Sequence, residues 1–483
     1  MFVGLDLGTS GLRALLIDEN GRPVGSVQSP YQTSHPHVGW SEQDPALWVR
    51  ACEDVFAQLV SDFAVQLSEL EGIGISGHMH GAVLLDENQQ ILRECILWND
   101  TRSHVQAAEL DGISGVRELS GNIVFPGFTA PKLKWVADNE PEIFARTKTV
   151  LLPKDYLRFW LTGELRSEMS DAAGTSWLDV GARQWSETLI AASGVDSEML
   201  PALVEGSSPA GSLRSELLTK WGIAGDVVVA GGAADNAAAA CGAGILGEGQ
   251  GFVSLGTSGV ILAGRDGYAP KPERAVHTFC HAVPNRWYQM GVTLAATDSL
   301  NWLSGLVGQT PKELTDALGV DLSTPTSISF LPYLSGERTP HNDSAIRGAF
   351  LGLDIAHSNL DLTQAVLQGV SFSLRESLDA LRATGAQMPS LLAMGGGTKS
   401  EYWVQMLATT LNTPIDVPEQ GDFGAALGAA RLAICAATGA DAKSVMTSPT
   451  IARTITPNKE LVAAYDAAYQ KFQQIYPAVK AVQ

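Results

Sequence analysis

At 483 residues the chain is longer than one hydrophobic core organises, so two or more domains are expected. A hydrophobic share of 45% with 17% charged residues describes an ordinary folded protein, and a net charge of −20 argues against nucleic acid or anionic membrane as the main partner. Five cysteines without CxxC spacing, no signal-peptide pattern and no apolar run of about 18 residues or more point to a reduced, cytoplasmic protein with no disulfide framework, zinc site or membrane span.

The chain opens as a meander: FVGLDL, a GTSG turn, LRALLID, an ENGR turn and PVGSVQSPY. Asp44-Pro45 suits a helix start and leads into ALWVRACEDVFAQLVSDFAVQL. GIGISG follows, then AVLLDENQQILRECILW, which reads as a hairpin. Near the middle, GFVSLGTSGVILAG repeats strand, turn and strand, and NRWYQMGVTL and SISFLPYL read as further strands. Leu362, Val366, Val370, Leu374 and Leu378 recur every four residues, the apolar stripe of a helix lying on a sheet. LLAMGGG reads as a buried strand ending in a turn, and GAALGAARLAICAAT as a small-residue helix. The glycine-rich segment 242–251 marks the boundary between parts 1–243 and 244–483, near-equal halves that suggest a duplicated α/β unit closing on a ligand.

Several patterns are set aside. GIGISG and GAGILG match GxGxxG but lack the strand-to-helix setting of a dinucleotide site, and 49 glycines make chance matches common. GGGTKS is not a P-loop, because Thr398 separates the glycines from Lys399. His35 and His37 read as a surface loop. His78 and His80 have no companion at metal-ligand spacing.

The repeated Leu-Gly-Thr-Ser-Gly is the informative feature. Such a turn offers backbone N–H groups and hydroxyls without side-chain bulk, a set of donors suited to phosphate oxygens. Two copies suggest two jaws on a polyphosphate. Only the first carries an acid, Asp6, suited to a magnesium ion that arrives with a nucleotide. Asp235 is a lone carboxylate between Gly-Gly-Ala-Ala and an alanine-rich run; it fits a general base or, alternatively, a helix cap.

Asp6, Gly8, Thr9 and Ser10 resemble the first phosphate motif of the FGGY carbohydrate kinases, relatives of actin, hexokinase and heat-shock ATPases. Gly256, Thr257 and Ser258 resemble the second phosphate motif; Gly395, Gly396, Gly397 and Ser400 resemble the adenosine motif. GFTAPKLKWVADN and GAFLGLD are similar to family signatures. The resemblance implies two ribonuclease H-like α/β domains, each with a mixed sheet flanked by helices, around a central cleft. It implies a sugar kinase using ATP and Mg²⁺, with Asp235 as base, Asn236 beside it, and Arg13 neutralising charge.

WSEQDP, HMHGAVLLD, ILWNDTR, LLPKDYLR and MSDAAGT carry the likeness within the family to a branch acting on a five-carbon ketose. Met79 and His80 stand where the glycerol-specific branch has Arg-Glu, and so would contact the sugar, with Trp98, Asp100 and Arg102 nearby. Gly231-Gly232-Ala233-Ala234 has one small residue more than the family's usual run, which would lengthen the turn before Asp235. A kinase for another ketose or polyol (ribulose, glycerol) stays open, as does a nucleotide-driven binding protein. A homodimer is also left open.

Overall fold

The computed structural model describes residues 1–419 and 424–483. The first half builds a seven-stranded mixed sheet from β1 (Phe2–Leu7), β2 (Gly11–Ile17), β3 (Pro23–Pro30), β4 (Gly72–Gly77), β5 (Pro209–Ser212), β6 (Val228–Ala230) and β7 (Ala233–Ala234). The second half builds another from β8 (Gly251–Leu255), β9 (Gly259–Arg265), β10 (His277–Cys280), β11 (Trp287–Thr293), β12 (Leu391–Met394), β13 (Ile415–Pro418) and β14 (Ile451–Ile455).

The duplication seen as a repeated turn extends through both sheets. Running β3-β2-β1-β4-β6-β5, the first has two antiparallel pairings, two parallel ones and an antiparallel edge. Running β11-β9-β8-β12-β13-β14, the second has the same succession, with β10 added outside β11. This is the two-domain mixed α/β architecture that the sequence leads one to expect.

The helices follow the apolar patterns. Helix α1 (Pro45–Leu67) starts with the Asp44 carboxylate accepting from the Ala46 amide at 2.9 Å, the cap expected of Asp-Pro. It buries Trp48, Val55, Phe56 and Leu59 against the first sheet. Each such side chain taken out of water stabilises the fold by roughly 1.5–3 kcal/mol. Further along lie α2 (Thr129–Asn139), α3 (Asp235–Ala243), α4 (Thr297–Val307), α5 (Asn359–Arg382), α6 (Glu401–Leu411) and α7 (Ala425–Thr438). The four-residue stripe is a long helix, α5, packed beneath the second sheet.

One feature departs from expectation. Residues 82–98 do not form a self-contained hairpin: their own pairing is reduced to single bridges, Ala82 with Ile96 and Leu85 with Ile91. The strand Val83–Leu85 pairs instead with Thr149–Leu151, whose apolar partners lie far away in sequence.

The halves also exchange helices. α7, from the second half, lies directly on β1 and β4 of the first. Side-chain-free positions make this possible, since a Cβ at Gly4 or Gly74 would collide with the α7 carbonyls of Ala426 and Ala429. α3, from the first half, joins a core with Phe252, Leu262, Tyr288 and Leu392 of the second.

Candidate active site

Three neighbouring strands of the first sheet deliver the polar residues to one place. β1 ends after Asp6, which is in register with Ser76 of the parallel β4, and β4 runs on into His78, Met79 and His80. β7 pairs Ala233 and Ala234 with Ser76 and Gly77. Ala233 and Ala234 thus form a short strand immediately before Asp235. Asp235 follows as the first residue of α3. Ligand sites of open α/β sheets lie at such carboxyl ends of parallel strands.

Between the halves is a cavity of about 320 Å³ lined by Asp6, Gly8, Thr9, Met79, His80 and Trp98, together with Asp235, Asn236 and, from the other half, Ser258. Asp235 is not the helix cap: that position is Ala234. The Asp235 carboxylate accepts from the Asn236 amide at 2.7 Å and from its side-chain Nδ2 at 2.9 Å. Burial pushes its carboxyl up to about 6 against these hydrogen bonds, and the negative charge of Asp6 adds to the rise. Asp6 is itself raised, chiefly by burial, while Ser76 and the Arg13 charge pull it back.

Both glycine turns are held from behind by their carbonyls. In the first, Gly8 O accepts from Tyr31 Oη at 2.6 Å, Thr9 O from Gln43 Nε2 at 2.7 Å, and Ser10 O from the Tyr31 amide at 3.1 Å. In the second, Gly256 O accepts from the Thr297 amide at 2.9 Å and Thr257 O from the Ala296 amide at 2.8 Å. With the carbonyls committed, the turns can offer their N–H and hydroxyl donors to an anion.

Gly395 adopts φ +86° and packs so closely on Leu255 that a Cβ there would lie 2.7 Å from its carbonyl group, which sets the glycine run beside the second turn. Gly396 and Gly397 form a single 3₁₀ turn, and Ser400 caps α6 through the Trp403 amide at 3.3 Å. Gly395 and Gly397 adjoin Leu255 at the second turn, and none of the four lines the cavity. Arg13 lies across from Asp6 in the β1–β2 pairing and lines a separate cavity of about 560 Å³.

His80 has a left-handed backbone, φ 72°, held by Lys132 Nζ and Thr129 Oγ1, which donate to its carbonyl at 2.8 and 3.1 Å. Its ring stacks on Phe128, and Gly174 leaves it room. A non-glycine residue kept in this conformation by surrounding contacts is characteristic of a working site. Magnesium takes oxygen ligands, typically one or two carboxylates plus phosphates. Asp6 fits that role beside nucleotide phosphates, and among the described residues no group of three or more His, Cys, Asp or Glu could hold an ion alone.

Residues 1–242 match the N-terminal domain, and residues 251–437 the C-terminal domain, of the FGGY family of carbohydrate kinases. The chain belongs to that family. It is 44% identical over 480 residues to the xylulose kinase of Escherichia coli (strain K12), covering 99% of this chain and 98% of that one, and 38% identical to that of Bacillus subtilis (strain 168), covering 99% and 97%. Among solved structures, a xyloylose kinase from Brucella ovis superposes with a TM-score of 0.98 at 57% identity over 100% of both chains. A gluconate kinase from Lactobacillus acidophilus superposes at 0.92 with 25% identity over 99% and 97%.

Within this FGGY kinase, Asp100 and Arg102 do not line the cavity. They form a buried ion pair at 2.7 Å, extended by Glu42 at 2.7 Å and by Trp40 stacked under the guanidinium. The Asp100 carboxylate also accepts from the Ser41 amide at 2.6 Å, so the pair fastens the loop after Trp98 to the segment before α1. Sequence reasoning assigned no site role to His78, His277 and Arg338, which do line the cavity. His78, held neutral by burial with its pKa down at about 3, has neither ring nitrogen bonded to protein among the described residues.

Proposed function

We propose that this kinase transfers the γ-phosphoryl group of ATP to O5 of D-xylulose, giving D-xylulose 5-phosphate, with Asp235 as general base. The observation that carries it is Asp235 itself: a carboxyl raised to about 6, in one cavity with Met79, His80 and residues of both phosphate turns. Near neutral pH it is ionised yet basic enough to accept the hydroxyl proton as the oxygen attacks in line. The Gly8-Thr9-Ser10 and Gly256-Thr257-Ser258 turns orient the phosphates. Gly395, Gly396, Gly397 and Ser400 take the adenosine side, and Arg13 balances charge behind Asp6. Mg²⁺ bound with the nucleotide at Asp6 would supply charge neutralisation on the phosphate oxygens.

Met79, His80, Trp98 and Asn236 hold the sugar. The relatives named xylulose kinase support the choice of ketose. We place the division of the chain at 243/244, with closure about the glycine-rich 242–251 segment excluding water that would otherwise accept the phosphoryl group. ADP release across D-xylulose, D-ribulose, D-gluconate and glycerol tests the reading, with D-xylulose expected to give the highest kcat/KM. A clear win for another sugar displaces the substrate, and sugar-independent turnover displaces the kinase mechanism.

A further inference from the structure

Arg338 reaches the cavity from the second half and carries its charge there without an acid. Its guanidinium lies 4.3 Å from the centre of the Phe125 ring, a residue of the first half, and Nη1 is 3.4 Å from His277 Nε2. The adjacent carboxylate, Glu337, is committed elsewhere: it accepts from Thr293 Oγ1, Ser373 Oγ and the Leu294 and Arg338 amides. Among the described residues no carboxylate pairs with the Arg338 side chain. A cation half-buried in this way has donors to give to a ligand.

Its position along the cavity follows from its neighbours. The Arg338 charge bears on His80 and His277, whereas the charge that bears on Asp235 is that of Asp6. Phe125 packs on Phe128, the ring on which His80 stacks, and His277 adjoins Phe125, so Arg338 lies on the His80 side of the cavity. Beside it, His80 has a defined tautomer: Nδ1 meets the Gly174 carbonyl at 2.7 Å and must donate to it. Nε2 is then an acceptor, and burial keeps the ring neutral. That side of the cavity thus sets a pure acceptor, His80 Nε2, near a pure donor, Arg338. An α-hydroxyketone is the complement of that pair: its hydroxyl donates and its carbonyl oxygen only accepts.

We infer that Arg338 and His80 together read the C1-hydroxyl and C2-carbonyl end of the ketose, Arg338 donating to the ketone oxygen. This rests on the proposed sugar-kinase reading and makes Arg338 a specificity-determining residue. The test compares kcat/KM for D-xylulose with the inhibition constant of 2-deoxy-D-threo-pentitol, which has no oxygen at C2, for wild type, Arg338→Met and Arg338→Lys. Loss of a charge-assisted hydrogen bond should lower kcat/KM for D-xylulose about 10- to 100-fold in Arg338→Met. Inhibition by the deoxypentitol and KM(ATP) should change less than about threefold, and Arg338→Lys should fall between. Equal losses for ketose and polyol, or none, overturn the inference while leaving the kinase reading intact. A wild type inert toward D-xylulose would instead remove the reading beneath it. If Arg338→Met does not fold, wild-type inhibition by 5-deoxy-D-xylulose against the corresponding alcohol with no oxygen at C2 decides: the ketone should bind at least tenfold tighter, and parity overturns the inference.

Discussion

The Trp98 indole N–H donates to Thr9 Oγ1 at 3.0 Å, joining one wall of the cavity to the first glycine turn. A residue proposed to touch sugar therefore also orients a hydroxyl of the turn proposed to hold phosphate. Trp98→Phe keeps an aromatic wall and loses the donor. KM for ATP and for sugar should rise together by about 3- to 10-fold, the worth of one ordinary hydrogen bond. Steady-state kinetics varied in both substrates checks this; a change confined to the sugar would mean the bond does not couple the two sides.

Asp235 predicts a pH profile. Burial and the Asp6 charge raise its carboxyl to about 6, and only the ionised form can accept a proton. kcat/KM for the sugar should therefore be level above pH 6 and fall about tenfold per unit below it. Asp235→Asn should lose that limb along with roughly 10²–10⁴-fold in kcat, with little change in nucleotide binding. An Asn variant close to wild type in kcat would reduce Asp235 to a structural residue.

The cavity residues that sit in local motifs were legible before the fold: Asp6 and the two turns by repetition, Asp235 by isolation among small residues. Met79 and His80 were legible only through resemblance. Arg338 and His277 were not, because their approach to His80 depends on how the halves face each other. The small-residue pattern of α7 showed a tightly packed helix but not which sheet it packs on. Nor could the sequence distinguish Asp100 and Arg102 as ligands from Asp100 and Arg102 as a buried pair, since Glu42 and Trp40 complete that cluster from nearly 60 residues away.

The exchanged helix carries a prediction about stability. In Gly74→Ala the new methyl meets the Ala429 carbonyl of α7, backbone that cannot yield without lifting the helix. Overpacking of this kind costs about 1–3 kcal/mol, so the urea midpoint should fall and the thermal transition should come earlier. An unchanged midpoint would show that α7 does not bear on β4 as described.

The asymmetry between the two turns has a structural counterpart. Asp6 stands across from Arg13, whereas Ser254, at the corresponding place in the second turn, stands across from Val260. An acid is tolerated where the opposite strand supplies a cation and a metal-bearing ligand is expected; the second turn has an apolar residue in that place. Asp6→Asn should therefore alter the magnesium requirement of kcat. Ser254→Asp should raise KM(ATP) about tenfold or more, since unit charges about 4 Å apart repel by roughly 1–4 kcal/mol in such surroundings. Ser254→Asn, equal in size but neutral, should stay near wild type. A magnesium titration of kcat and KM(ATP) for the three variants tests the pair. If Ser254→Asp bound ATP as well as Ser254→Asn at every magnesium concentration, the second turn would not face the phosphates, and the two-jaw arrangement would have to be given up.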